Sequence, residues 1–362
     1  MPTISLCMIV KNEEELLEQC LNSLRGVADE IIIADTGSTD RTKEIARSYT
    51  EHVLDFTWVD DFSAARNYVF SQASQEYIFW LDADDVLLDE DRNKLLALKE
   101  ELDPSIDGCS MFYHYSFDDY GKVNLKFRRN RLVKRSREFK WHGAVHEYLD
   151  VSGNVIDTDI AVTHKRVHEA KGRNLTIYEN KLRGGAQLSP RDQYYYANEL
   201  RDNGDHARAA QQYERFLEME QGWVADKVAA CDKLSDCYYR LGEHDKERQA
   251  ALRALEYDTP RAEICCRLGY HFLLREKYSI AVFWYKLAAS LDQPEEDWGF
   301  RNEQCWTWLP HVQLSVCYYR LGKERLAWEH NEQALRYRPQ DQRLLGNKLF
   351  FEARFKERGE FV

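Results

Sequence analysis

The tetrapeptide Asp82-Ala83-Asp84-Asp85 directly follows the apolar run Tyr77-Ile78-Phe79-Trp80-Leu81. A buried strand that ends in closely spaced carboxylates holds them at a sheet edge. Hard divalent cations such as Mg2+ or Mn2+ take oxygen ligands of this kind, usually together with substrate phosphates. Three acids so close repel one another unless a cation is near. The same residues also fit a polar turn whose Asp caps the next helix. Two further loops sit in the same position relative to an apolar run. Lys11-Asn12-Glu13 follows residues 4–10, and Asp35-Thr36-Gly37-Ser38-Thr39-Asp40 follows residues 30–34.

The elements that must position these loops alternate between strand and helix signals. Residues 4–10, 30–34, 52–55 and 77–81 are predicted strands. Helices are predicted after Asn12 as N-cap, over 41–49 and over 62–73, the first with a stripe of Leu16, Leu17, Cys20, Leu21 and Leu24. Glu13, Glu14 and Glu15 suit the positive end of that helix dipole. Such alternation implies a parallel sheet with helices on both faces, and ligands in such sheets bind beyond the carboxyl ends of the strands. After Gly108 the pattern turns more strand-like, over 110–115, 124–133 and 160–164. The basic residues Lys126, Arg128, Arg129, Arg131, Lys134, Arg135 and Arg137 fit mainly the exposed face of a strand pair, with one or two arginines in reach of a diphosphate.

The second half is helical and repetitive. Leu241-Gly242 aligns with Leu321-Gly322, and Asn203-Gly204 and Arg275-Glu276 fill the same slot. Positions 204, 242, 276 and 322 are spaced by 38, 34 and 46 residues, close to the 34-residue helix-turn-helix period of tetratricopeptide repeats. In the third unit Leu268, Gly269, Phe272, Tyr278, Ala281, Tyr285 and Ala288 take the alternating large and small packing positions, and Ala209, Ala327 and Ala334 take small positions elsewhere. The longest step holds an insertion over 293–308 rich in acids and Trp. Gly172, Gly184, Gly185 and Pro190 punctuate the junction. The expected organisation is a catalytic domain over 1–170, a linker or first helix over 171–189, and about four repeat units over 190–362.

With 362 residues the chain suits two domains, and a net charge of −12 argues against general nucleic-acid binding. No apolar run approaches a membrane span, and the start lacks a signal-peptide pattern. The nine cysteines are scattered with no C-x-x-C pair, which suits free thiols and a cytoplasmic protein.

Taken together, Met8-Ile9-Val10-Lys11-Asn12-Glu13, Ile33-Ala34-Asp35-Thr36-Gly37-Ser38-Thr39-Asp40 and Asp82-Ala83-Asp84-Asp85 resemble the family 2 glycosyltransferases of the GT-A fold. Asp61-Phe62-Ser63-Ala64-Ala65-Arg66-Asn67, Trp141-His142-Gly143-Ala144-Val145-His146-Glu147 and the repeat tail narrow this towards the peptide S-glycosyltransferases that modify sublancin-type bacteriocins.

The resemblance implies an α/β GT-A domain with a mostly parallel sheet, followed by an all-α tetratricopeptide domain. It implies inverting transfer of a hexose from a UDP-sugar, with UDP-glucose the first choice, to a peptide or protein, a Cys thiol being one acceptor group. Asp35 would accept a hydrogen bond from uracil, with Val10, Asn12 and Glu13 around base and ribose. Arg66 and Asn67 would meet the nucleotide or a phosphate, although Arg66 also suits an ion pair with Asp60 or Asp61. Asp82 would face the ribose beside Ala83. Asp84 would take Mg2+ or Mn2+, with His164 as second ligand and His168 as a weaker substitute. Glu147 would be the general base, with His146, His142 and Trp141 orienting it, contacting the sugar or packing the wall.

The helical half would recruit the acceptor, and a homodimer is compatible with it; no nucleic acid or membrane partner is expected. A surface-glycan acceptor, an inactive peptide-binding scaffold and a two-carboxylate glycosidase are the competing readings. Asp35 and Asn12 have no role in the last.

Overall fold

The computed structural model describes residues 1–117, 121, 123–165, 172–292 and 302–360, with the backbone alone for Asn124. His168 and residues 293–301 of the insertion lie outside this set. The chain divides into a unit over Met1–Gln187 and a helical unit from Leu188 onward.

The first unit is built on an eight-stranded sheet. Its strands are β1 (Ile4–Val10), β2 (Glu30–Asp35), β3 (Val53–Asp55), β4 (Tyr77–Trp80), β5 (Asp85–Val86), β6 (Gly108–Phe117), β7 (Val123–Lys134) and β10 (Val155–His164), in the order β3-β2-β1-β4-β7-β6-β10-β5. A separate ribbon pairs β8 (Trp141–His142) with β9 (Tyr148–Leu149). The half built from β1 to β4 is parallel, as the strand-helix alternation requires. The sheet as a whole is mixed, because β7 runs antiparallel to both β4 and β6, and β5 antiparallel to β10. β6 and β10 also pair in parallel, so four of the seven neighbouring strand pairs are parallel, as expected, within a mixed sheet.

Helices α1 (Leu17–Ser23), α2 (Thr42–Arg47), α3 (Phe62–Ser71) and α4 (Asp89–Glu101) flank the sheet, and α5 (Arg173–Arg183) completes the unit. β1 and β4 are buried almost throughout, which explains their unbroken apolar runs. Leu17, Cys20, Leu21 and Leu24 join Ile4, Leu6, Met8 and Phe79 in the main core. Asn12 does not cap α1. It takes a left-handed backbone with φ of 54°, and its side chain accepts from the Thr39 N–H at 2.8 Å, tying the first loop to the second. Asp61 does cap α3, accepting from the Ala64 N–H at 3.0 Å.

The second unit stacks helix hairpins. α6 (Pro190–Asp202) packs on α7 (His206–Glu218), α8 (Val224–Arg240) on α9 (His244–Arg253), α10 (Ala262–Leu273) on α11 (Tyr278–Ser290), and α13 (Trp308–Arg320) on α14 (Glu324–Tyr337). A short α12 (Glu303–Trp306) precedes the fourth hairpin and α15 (Gln342–Glu357) follows it. The aligned turn positions Gly204, Gly242, Glu276 and Gly322 all have left-handed backbone, with φ of 86°, 74°, 56° and 71°. Gly269 faces Tyr285 so closely that a Cβ would lie 2.7 Å from the ring. Ala281, Tyr285 and Ala288 are all fully packed beside it. This is a tetratricopeptide-type array, each hairpin burying its apolar stripe against a neighbour.

Candidate active site

The three loops beyond β1, β2 and β4 lie together along one edge and help to line a cavity of about 690 Å3. Val10, Asn12, Glu13 and Thr36 line it from the first two loops. Thr36 is fixed by its N–H and hydroxyl, both donating to the Val10 carbonyl, and the Glu13 N–H donates to Thr42 Oγ1 at 2.7 Å. Asp35 does not reach the cavity wall. It is buried, and its carboxylate accepts from the N–H groups of Gly37 and Ser38, both at 3.0 Å. The group expected to read uracil thus shapes the turn that carries Thr36.

Asp82, Ala83 and Asp84 line the middle of the cavity, and Asp85 begins β5 behind them. β5 pairs with β10 so that Asp85 stands opposite His164. This pairing brings His164 Nδ1 to 3.6 Å from Asp84 Oδ1 and 3.5 Å from Asp85 Oδ1. Among the described residues, Asp84, Asp85 and His164 form the group whose ligand atoms converge well enough for a metal ion.

Asp85 is already satisfied by protein. It accepts from the Tyr113 hydroxyl at 2.8 Å, pairs with Arg131 at 3.0 Å and accepts from the Asp82 N–H at 3.2 Å. Asp84 is left as the open acid; the Tyr113 hydroxyl, which donates to Asp85, lies 2.9 Å from His164 Nδ1 and holds that nitrogen, so Nε2 is the imidazole atom left to act as a ligand. Burial, then the neighbouring Asp82 and Asp85, push the Asp84 carboxyl up to about 6. Burial opposes the charged form of His164, but Asp85 and Asp84 outweigh it and raise its pKa. A hard divalent cation fits this donor set, since it would relieve the charge that both shifts report.

The third helix carries the opposite wall. Arg66 is 6% exposed and packs against the edge-to-face pair of Trp80 and Trp141, 4.9 and 4.8 Å from their centroids. Its Nη2 donates to Asp82 Oδ1 and its Nε to Glu147 Oε1, each at 2.6 Å. Burial works against ionised Asp82, but Arg66 and then Arg131 hold its carboxyl below the usual range. Arg66 therefore pairs with neither Asp60 nor Asp61.

The segment 141–147 is anchored to α3 at two more places. The Phe62 N–H donates to the Ala144 carbonyl at 2.9 Å, and Asn67 brackets the Trp141 backbone with two bonds of 2.9 Å. Asn67 was expected beside the nucleotide sugar; its amide is instead spent on this clamp, and it does not line the cavity. His142 is also off the cavity, exposed and beside the Tyr148 ring at 5.6 Å. Trp141, His146 and Glu147 do line it, and His146 takes a left-handed backbone with φ of 49° directly before Glu147. Strain of this kind persists only where the surroundings impose it.

Sequence reasoning missed Asp85, Tyr113 and Arg131. Arg131 was grouped with an exposed basic face but is 1% exposed, with the Trp80 and Tyr113 rings 4.0 and 4.7 Å from its guanidinium. It falls where the β6–β7 register shifts, between Asn130 and Leu132. A bulge re-aims a side chain and leaves no mark in the residue pattern.

Residues 5–151 match the family model for glycosyl transferase family 2. This chain carries a family 2 glycosyltransferase domain. A TPR repeat-containing protein of Synechococcus elongatus is 28% identical over 348 residues, covering 94% of this chain and 76% of that relative. The SPbeta prophage-derived glycosyltransferase SunS of Bacillus subtilis is 29% identical over 215 residues, 55% of this chain and 49% of its own length. The lipopolysaccharide core biosynthesis glycosyltransferase LpsC of Rhizobium meliloti is 32% identical over 163 residues, 42% of this chain and 58% of its own length. The chain thus spans about half the length of SunS. The enzyme is a glycosyltransferase, and no helix among its described residues is long and apolar enough to cross a membrane.

Proposed function

We propose that this glycosyltransferase moves a hexose from a UDP-sugar, UDP-glucose first, to a peptide or protein acceptor, with inversion at the anomeric carbon. The observation that carries the proposal is one cavity lined both by the open ligands Asp84 and His164 and by the Arg66-tethered carboxylate Glu147. A bound Mg2+ or Mn2+ would supply positive charge against the departing diphosphate. Val10, Asn12, Glu13 and Thr36 border the uridine, Asp82 and Ala83 the ribose and sugar, and Trp141 the sugar wall. Glu147 removes the acceptor proton, with His146 beside it.

The helical array supports a peptide or protein acceptor, because stacked hairpins present extended surfaces for chain segments. A cysteine thiol is the acceptor to test first, since its modest reference pKa eases deprotonation. The likeness to LpsC supports a glycan acceptor as the second reading; it covers less than half of this chain.

The test is a panel of UDP-hexoses with Mn2+, scored by UDP release with and without cysteine-bearing peptides. Release with one donor, stimulated by a peptide, is expected. Turnover stimulated only by oligosaccharides would replace the peptide reading, and no release or binding with any nucleotide sugar would leave a scaffold.

A further inference from the structure

A transfer of this kind needs a base held still and a donor held in line. Arg66 touches one group of each kind. Its planar fork spends Nη2 on Asp82 and Nε on Glu147, both at 2.6 Å, and the edge-to-face pair of Trp80 and Trp141 packs against it. So placed, two of its three nitrogens are already committed to carboxylates. We propose that Arg66 is a positioning residue, which locks Glu147 and the donor-wall acid Asp82 into a single ion triad so that one cation sets the base and the sugar site together. The inference rests on the transferase reading above.

Three features support it. Glu147 gives Oε1 to Arg66, and no described protein donor holds Oε2, so one defined oxygen is left to take a proton. The guanidinium has little freedom to turn, because it packs against two indoles that are themselves in edge-to-face contact, and its Nε and Nη2 are each held by a carboxylate. A point-charge ammonium could not hold two carboxylates in fixed planes in this way. Finally, α3 is bonded to the base segment on both sides of Arg66, through Phe62 and Asn67. The spacing between Asp82 and Glu147 is therefore set by the helix and its arginine and not by a mobile loop.

The experiment is a double-mutant cycle in the full chain. Arg66→Gln, Glu147→Gln and the double variant are compared for UDP release from the UDP-hexose that the unmodified enzyme turns over fastest, with Mn2+ present and UDP binding measured alongside. Each single change is expected to lower turnover on the order of 100-fold, and the double variant to fall no more than about 3-fold below Glu147→Gln, because groups acting as a unit are strongly non-additive. A merely structural role would not produce that non-additivity. Should Arg66→Gln fail to fold, Arg66→Lys carries the same cycle.

Multiplying losses, or an Arg66 variant within about 3-fold of the unmodified enzyme, would overturn the inference while leaving the transferase reading intact. Full activity in Glu147→Gln would remove the base and this inference with it. No UDP release by the unmodified enzyme would remove both the reading and the inference.

Discussion

Asp85 and His164 are register partners across the β5–β10 ladder, so the last acid of the tetrapeptide lies beside the last residue of a distant strand. Tyr113 bonds to both, and Arg131 also pairs with Asp85, so the aspartate keeps two strong partners if the imidazole is removed. His164→Ala should therefore weaken Mn2+ binding by about 10–100-fold while leaving the unfolding temperature nearly unchanged. Calorimetric titration of Mn2+ checks this; an unaltered affinity would remove His164 from the ligand set.

Metal binding should also depend steeply on acidity. The Asp84 carboxyl is raised to about 6 by burial and by Asp82 and Asp85, so a proton competes for it below that pH. His164 is raised as well and must lose its proton to act as a ligand, which works in the same direction. Mn2+ affinity should climb as pH rises from 5, by up to about tenfold per unit for each of these two groups. Asp84→Asn should flatten that climb, and an equal climb in the variant would assign it to other groups.

The third hairpin of the helical unit has no room for a methyl group at Gly269, where the Tyr285 ring would lie 2.7 Å from it. Tyr285 is 1% exposed and has nowhere to swing. Gly269→Ala should cost about 1–3 kcal/mol of stability, as overpacking does. Thermal unfolding reads the loss, and Tyr285→Leu in the same chain should recover part of it.

His330 offers a second test by pH. Its ring lies 5.4 Å from Tyr318, with His311 Nδ1 3.1 Å from its own Nδ1. Burial first, then His311 and Lys286, pushes its pKa from the ordinary value down to about 4. The unfolded chain takes up this proton near pH 6.5 and the folded chain does not. Stability is thus fully present above 6.5 and is lost as pH falls towards 4. After allowance for partial solvent exposure the loss is about 1 kcal/mol. Denaturant midpoints at pH 7 and pH 5 should differ less in His330→Gln; an unchanged difference would clear this residue.

If the array recruits the acceptor, a chain ending at Gln187 should still hydrolyse UDP-sugar but no longer glycosylate a protein. Comparing UDP release with transfer to the protein acceptor decides it. Equal loss of both would mean that the helical unit serves only to keep the enzyme folded.

The strands and hairpins were legible because their signals are local. The unbroken apolar run of residues 4–10 and the left-handed turn slots at 204, 242, 276 and 322 need no partner to be read. Asp82, Asp84, Glu147 and His164 could be picked out as residue types, and all four line one cavity. The roles of Arg66, Asn67, Asp85 and Arg131 were not, because each is set by long-range pairing. Arg66 and Glu147 are 81 residues apart in the chain, and Arg131 owes its burial to a bulge. For Asp35 the pattern did not show that its carboxylate also holds the turn, through bonds to the two residues just beyond Thr36's position in the loop, Gly37 and Ser38.

Helix α3 grips the base segment through the Phe62 N–H, the Arg66 fork and the Asn67 amide. Anyone exchanging acceptor preferences between related enzymes would therefore have to transplant two stretches at once. A graft of residues 141–147 without its matching helix would arrive with no docking points, and chimeras cut between them should be the ones that fail.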